Sequence, residues 1–305
     1  MTHGFVSLIC GAAMLAVAVA SAAAPVELTA ALEKDQLVIS VDGALFTAYK
    51  FADSQKYPYF FPVNGPASSQ SVTTETSEPY PHHHSLFFGC DRVNGGNYWQ
   101  DANGRGQILS QGPKIFEAKG SRVVFTDECL WKQPGQDPVI RDTRRIVITA
   151  PGPAFRHIDF EITLVPQVDV TIEQTNHSLF SARMRPELSV ASGGVLINAE
   201  GAKSEAGTFG VVSPWCDYSG AREGVTEGLA ILQHPSNRWY PSKWFTRDYG
   251  FFSPTPMYWP EGQGTALPKG QKLTLRYRVT VHAGDAAAAD IAGLFKQYQE
   301  MPAGE

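Results

Sequence analysis

Two stretches of the chain alternate apolar and polar residues almost without interruption. In RHIDFEITLV, Ile158, Phe160, Ile162 and Leu164 alternate with His157, Asp159, Glu161 and Thr163; in LTLRYRVTV, Leu273, Leu275, Tyr277, Val279 and Val281 alternate with Thr274, Arg276, Arg278 and Thr280. Successive side chains of a strand point to opposite faces, so a period of two predicts strands with one face buried. Shorter runs of the same kind fall at 37–41, 45–51, 122–125, 145–149 and 168–175, with turn residues between them. Together they predict an all-β fold, a large antiparallel β-sandwich. A single helix is expected near the end, where Ile291, Leu294, Phe295 and Tyr298 share one face behind Asp285 as a possible cap. It is expected to cover a sheet edge.

The first residues read differently. From Phe5 to Ala20 the chain is small and apolar, and Ala20-Ser21-Ala22 supplies the small-x-small pattern of a signal-peptidase site. The segment MTHG before it has no Lys or Arg, so an uncleaved anchor is the alternative; the run is short for a bilayer span. Residues 1–22 are therefore expected to be a signal peptide and 23–305 one β-sandwich domain, exported to the periplasm or medium and free of the membrane after cleavage. With 43% hydrophobic residues, that length can bury a large core.

Charge and cysteine content narrow the partners. A formal net charge of -5 without a basic run argues against nucleic acid. Of the four cysteines, Cys10 falls in the leader, leaving Cys90, Cys129 and Cys216; no CxxC pair occurs, so a structural zinc site is not expected. A GxSxG elbow, a phosphate loop and a dinucleotide glycine pattern are also missing. No cofactor is expected.

Candidate chemistry concentrates in PHHHSLFFGCDRVNGGNYW, residues 81–99, which holds three of the eight histidines. Imidazole is the side chain that changes charge near neutral pH, so the cluster suits proton transfer or metal binding. In an extended segment His82 and His84 share a face and His83 points away. HSLFF at His84 is echoed by HSLFS at His177, which would place both imidazoles in one cleft if the strands are equivalent; coincidence is the alternative. Three readings of His82, His84 and His177 stay open: acid–base catalysis, a metal site with His234 as a fourth ligand, and a hydrogen-bonded structural cluster. Asn94 and Trp99 in the same stretch are candidate ligand contacts.

A second constellation, residues 234–259, interleaves Trp239, Trp244, Trp259, Tyr240, Tyr249 and Tyr258 with Asn237, Lys243, Arg247 and Asp248. Aromatic faces with bidentate polar groups suit a sugar ring, whose C–H side stacks while its hydroxyls accept and donate hydrogen bonds. His234, Trp239, Trp244, Arg247 and Tyr249 are candidate binding residues, with Asp248 a carboxylate partner; the alternative is an aromatic roof over the core.

The order of YPYFFPVNGP, PHHHSLFFGCDRVNGGNYW, INAEG, PWCDYSG, HPSNRWYPSKWFTRDYGFF and LRYRVTVHAGD resembles the PmoA-like ("methane oxygenase PmoA") domain family of unknown function, from Tyr57 to the terminal helix. The family name implies a copper monooxygenase. That membrane enzyme needs several spanning helices, which this sequence lacks, so methane oxidation is not expected. The family reads His-His-Arg-Gly-Leu-Trp-Phe where this chain has His83, His84, Ser85, Leu86, Phe87 and Phe88, and Lys-Glu-Gly near Asn176, His177 and Ser178. This chain is thus expected to be a variant in which His177 replaces a carboxylate.

The combined expectation is a sandwich of the mutarotase-like kind acting on a carbohydrate or glycoside, by hydrolysis, elimination or epimerisation. His84 and His177 would handle protons with Asp248 as partner. His82, Asn94, Trp99, His234, Trp239, Trp244, Arg247 and Tyr249 would hold the sugar. A non-catalytic glycan-binding module and a metal-dependent enzyme are the alternatives. For the leader, N-terminal sequencing of secreted material is expected to begin at Ala23 or Ala24; an intact Met1 would overturn the expectation.

Overall fold

The computed structural model describes Met1 and residues 26–100, 102–258, 262 and 264–302; the expected cleavage site and Trp259 lie outside them. Two large antiparallel sheets make up the fold. The first runs Trp244–Arg247, Phe251–Pro254, Ser178–Arg183, Leu86–Cys90, Tyr59–Val63, Ala44–Lys50, Gln36–Val41, Leu28–Glu33 and Lys119–Gly120. The second runs Val195–Asn198, Trp215–Arg222, Val225–Gln233, Leu273–Ala283, Phe155–Pro166, Ile140–Thr149, Arg122–Lys132 and Gln107–Ser110, and Lys114–Glu117 also pairs with Arg122–Lys132. The antiparallel sandwich read from the alternation is the architecture observed.

Aromatic rings from the two sheets meet in the middle. Phe180 of the first sheet stacks on Phe160 and Tyr277 of the second, with centroids 4.8 and 4.9 Å apart. Phe88, paired with Phe180 in the first sheet, lies 6.2 Å from Trp131 and 6.1 Å from Phe160. The predicted apolar face of Ile158, Phe160, Ile162 and Leu164 is buried here, as is that of Leu275, Tyr277, Val279 and Val281. On the opposite face Arg276 and Arg278 bond Glu161 and Asp159 of the neighbouring strand.

The core also holds charge, and this hides two strands from a hydrophobic pattern. The run at 145–149 is the end of Ile140–Thr149, whose buried face includes Asp142 and Arg144. Arg144 Nε donates to Asp142 Oδ1 at 3.0 Å and Trp131 Nε1 to Asp142 Oδ2 at 2.7 Å, while Tyr49 of the other sheet donates to Asp127 at 2.8 Å. Burial works against the Arg144 charge, but Asp142 outweighs it and holds the guanidinium protonated. The run at 122–125 likewise extends, as Arg122–Lys132, because Asp127 and Cys129 belong to this buried network. Of 168–175 only Val170–Ile172 is strand, paired with Thr265–Leu267 in a separate ribbon.

A second polar tie joins the sheets at one end. Buried Glu227 accepts hydrogen bonds from Ala67 N, Ser68 N and Ser68 Oγ of the turn after Tyr59–Val63. The terminal helix, Ile291–Gln299, is capped by Asp290, which accepts from Gly293 N, rather than by Asp285, which bonds the preceding turn at Ala287 and Ala288. Nor does it cover an edge: Ile291, Phe295 and Tyr298 pack with Trp215, Ala230 and Leu232 on the outer face of the second sheet. The chain makes one more turn between Asp285 and the helix, so the cap falls at Asp290.

Phe180 sits between two rings of the opposite sheet, and no smaller side chain can fill that space. Phe180→Ala is expected to lower the unfolding free energy by about 3–5 kcal/mol in denaturant titration. A loss well under 1 kcal/mol would mean that the sheets do not depend on this contact.

Candidate functional site

The register of two neighbouring strands builds the centre of the site. Leu86–Cys90 pairs antiparallel with Ser178–Arg183, with Ser178 opposite Cys90. One step beyond the ladder Asp91 faces His177, and Asp91 N donates to His177 O at 3.2 Å. Directly opposed residues project on the same side of a sheet. Because Phe88 and Phe180 point into the sandwich, Asp91 and His177 point out of it.

There the two side chains join. His177 Nδ1 lies 2.8 Å from Asp91 Oδ2, and Asp91 Oδ1 accepts from the hydroxyl of Thr175, which also accepts from His177 N at 3.0 Å. Asp91 is buried and His177 half-buried, so the carboxylate is backed by protein and the imidazole faces the open side. With a carboxylate on Nδ1 that nitrogen carries the proton, leaving the Nε2 lone pair outward. No described residue bonds Nε2.

A cleft of about 640 Å³, solvent included, opens in front of this pair. Besides His177, its walls are Tyr80, His82, His83, Gln100, Asn176, Phe245, Arg247, Tyr249 and Phe251. His82 stands nearly perpendicular to His177, with ring centroids 6.4 Å apart. His83 stacks on Phe251 at 4.4 Å and is buried. Trp99, fully buried, underlies both His177 and Phe87, at 5.6 and 4.8 Å. Its loop lies close on the sheet because residue 89 is glycine: a Cβ there would sit 2.8 Å from the Tyr98 carbonyl oxygen.

The histidine run does not continue as a strand, and this alters its geometry. Ser85 adopts φ 57° and turns the chain, so Tyr80 to His83 fold back over the outer face. His82 and His83 thus line the cleft, and His84 leaves it, bonding Glu75 O through Nδ1 at 2.8 Å and stacking on Tyr59. The echoed HSLF segments lie on antiparallel neighbours, so their leading histidines are at opposite ends of a ladder about 17 Å long.

The remaining candidates divide. Arg247 and Tyr249 line the cleft; Arg247 also bonds Glu205 at 3.1 Å and lies over the Phe245 ring. Asp248 does not face it: Oδ1 accepts from Glu205 N at the start of the short helix Ser204–Thr208. Trp244 is 0% exposed and donates to Ser213 O at 2.8 Å inside the core. Trp239 packs against the core and under Arg238. Exposed Asn94 clasps Asp169 O and Thr171 N, and His234 bonds Ser236 and Met301 O beside the terminal helix. The four histidines weighed as metal ligands are thus not brought together, and among the described residues no group of three or more His, Cys, Asp or Glu is placed to hold a metal.

Asp91 was not singled out from sequence as the partner of His177. Its signal was the ladder itself: pairing the two HSLF runs antiparallel leaves the residue after Cys90 beside the one before Ser178.

Burial lowers the His83 pKa to about 2, with further repulsion from His82 and Arg183. An unfolded histidine takes a proton below about pH 6.5, whereas folded His83 refuses it, so stability declines as pH falls through that window by about 1.4 kcal/mol per pH unit for each such proton. In His83→Gln the slope of stability between pH 6 and 5 is expected to shrink by nearly one proton. An unchanged slope would show that His83 titrates while folded.

No curated protein matches the chain by sequence. Among solved structures, a candidate aldose 1-epimerase from Escherichia coli K12 shares 10% identity over 85% of this chain and 99% of its own, with a TM-score of 0.34. An α-galactosidase from Lactobacillus brevis shares 9% over 85% of this chain and 39% of its own, at 0.39. A galactose mutarotase related enzyme from Lactobacillus acidophilus shares 9% over 84% and 97%, at 0.31. A family model matches residues 36–296, and it carries no PmoA name, so the resemblance seen in the motifs holds only as far as a family without assigned function. The chain belongs to the family of unknown function DUF6807.

Proposed function

We propose that this protein is a carbohydrate-active enzyme whose chemistry is proton transfer on a bound sugar, of the epimerase or lyase class. One observation carries the reading: the 2.8 Å contact of His177 Nδ1 with buried Asp91, which turns Nε2 toward the cleft. Asp91 holds the imidazole in one tautomer and offsets the charge the ring acquires on taking a proton. His177 is then the base. His82, the neighbouring cleft imidazole with its ring centroid 6.4 Å from that of His177, is the acid that returns a proton.

The aromatic walls, Tyr80, Phe245, Tyr249 and Phe251, suit the C–H face of a pyranose, and Gln100, Asn176 and Arg247 supply hydrogen-bonding groups for its hydroxyls. Hydrolysis is less well supported. Glycosidases of the common kind use two carboxylates across the scissile bond, and the described cleft walls carry none. Epimerisation and elimination need a base and an acid, which two imidazoles provide.

Export remains part of the proposal through the leader pattern alone.

The test is a panel of mono- and oligosaccharides followed by NMR in deuterated water for proton exchange and by ultraviolet absorbance for new double bonds. On a converted sugar, His177→Ala and Asp91→Asn are each expected to lose about a hundredfold or more in turnover, with folding and sugar affinity retained. Turnover that survives both substitutions would remove the pair from the chemistry. Sugars that bind without conversion would favour a binding module.

A further inference from the structure

The cleft has a second end, away from the Asp91–His177 pair. Arg183 closes the strand that His177 precedes and lies opposite Phe251, a cleft wall. Only 1% exposed, its Nε and Nη1 make no hydrogen bond among the described residues, and Nη2 reaches only Glu78 O at 3.4 Å. Its guanidinium lies 4.3 Å from the centroid of Tyr249, which lines the cleft and packs against Tyr80 at 5.2 Å.

Four other arginines that are buried or half-buried have a carboxylate. Arg144 has Asp142, Arg247 has Glu205, Arg276 has Glu161 and Arg278 has Asp159. Arg183 has no such partner among the described residues, and a guanidinium does not shed its proton. A buried cation without a counter-charge is costly unless something supplies the charge. In front of it the described cleft walls offer Arg247 and three imidazoles but no Asp or Glu. Among the described residues, with Arg247 balanced by Glu205, Arg183 leaves this end of the cleft net positive.

We propose that the cleft takes an acidic glycan, a sugar chain bearing a carboxylate or sulfate group, with that group at the Tyr80–Tyr249 end over Arg183 and Arg247. The inference rests on the reading of the cleft as a sugar site and adds its substrate class. Arg183 is buried behind the cleft wall, so a neutral sugar leaves its guanidinium uncompensated, whereas an anion in the cleft offsets that charge across the Tyr249 ring and can take hydrogen bonds from Arg247, which lines the cleft. The acidic group marks a neighbouring position of the glycan, because the proton-transfer pair occupies the opposite end.

The experiment is calorimetric titration of the full chain with matched pairs: oligogalacturonate against its methyl ester, and a sulfated galactan oligosaccharide against its desulfated form. At least one acidic member is expected to bind ten or more times tighter than its neutral counterpart, and the pair that discriminates tells carboxylate from sulfate. Arg183→Gln is expected to reduce that preference to less than threefold, and Arg183→Lys to keep part of it. If Arg183→Gln does not fold, the wild-type comparison and Arg247→Gln carry the test. Neutral sugars binding as tightly as acidic ones, or a preference untouched in Arg183→Gln, would overturn the inference. If neutral sugars are also converted in a His177-dependent way, the acid–base reading stands without it. No binding by any sugar, acidic or neutral, would overturn both.

Discussion

Strand geometry allows each residue only two directions, and the apposition of Phe88 and Phe180 against Phe160, Trp131 and Tyr277 settles which is inward. With those rings inside, Phe87, Asp91, His177 and Arg183 have nowhere to go but the outer face of the first sheet. A slip of one residue in either strand would turn its own phenylalanine outward and its Asp91 or His177 inward. The energy that holds the site in place is therefore core energy, spent on the other side of the backbone. The loop carrying Trp99 and the turn carrying His82 and His83 then lie over that face, and together they convert an outer sheet surface into a walled cleft.

Much of the fold was legible because the second sheet has one buried and one wet face. Ile158 to Leu164 and Leu273 to Val281 alternate cleanly, since their polar neighbours form cross-strand ion pairs in reach of water. The strands around Asp127, Asp142 and Arg144 were legible only in part, because charge stands where a hydrophobic pattern is sought. That charge is tolerated because Trp131, Tyr49 and Ser110 complete the hydrogen bonding around it.

The site was legible as a neighbourhood and not as a constellation. The histidine run, Arg247 and Tyr249 do meet at one cleft, for residue types that carry chemistry cluster in loops at strand ends. Which imidazole enters was decided by the left-handed turn at Ser85, and local spacing does not announce such a turn. His177 was singled out by its echo of the first histidine segment, but for a pairing that an antiparallel arrangement forbids. Trp244 and Asp248 sit within five residues of Arg247 and Tyr249 yet face the core and a helix start, because alternation separates neighbours in sequence onto opposite sides.

The Asp91–His177 contact joins residues 86 positions apart, and the sheet that carries it draws its strands from Leu28 to Pro254. Such non-local pairing makes assembly slow, since distant segments must be brought together before their contacts return any free energy. A partly folded chain can hold the local hairpin Ile140–Thr149 with Phe155–Pro166 and still have no site at all. The pair of side chains that would do the chemistry is thus also a mark of completed topology: it exists only once the two halves of the molecule have found each other in register.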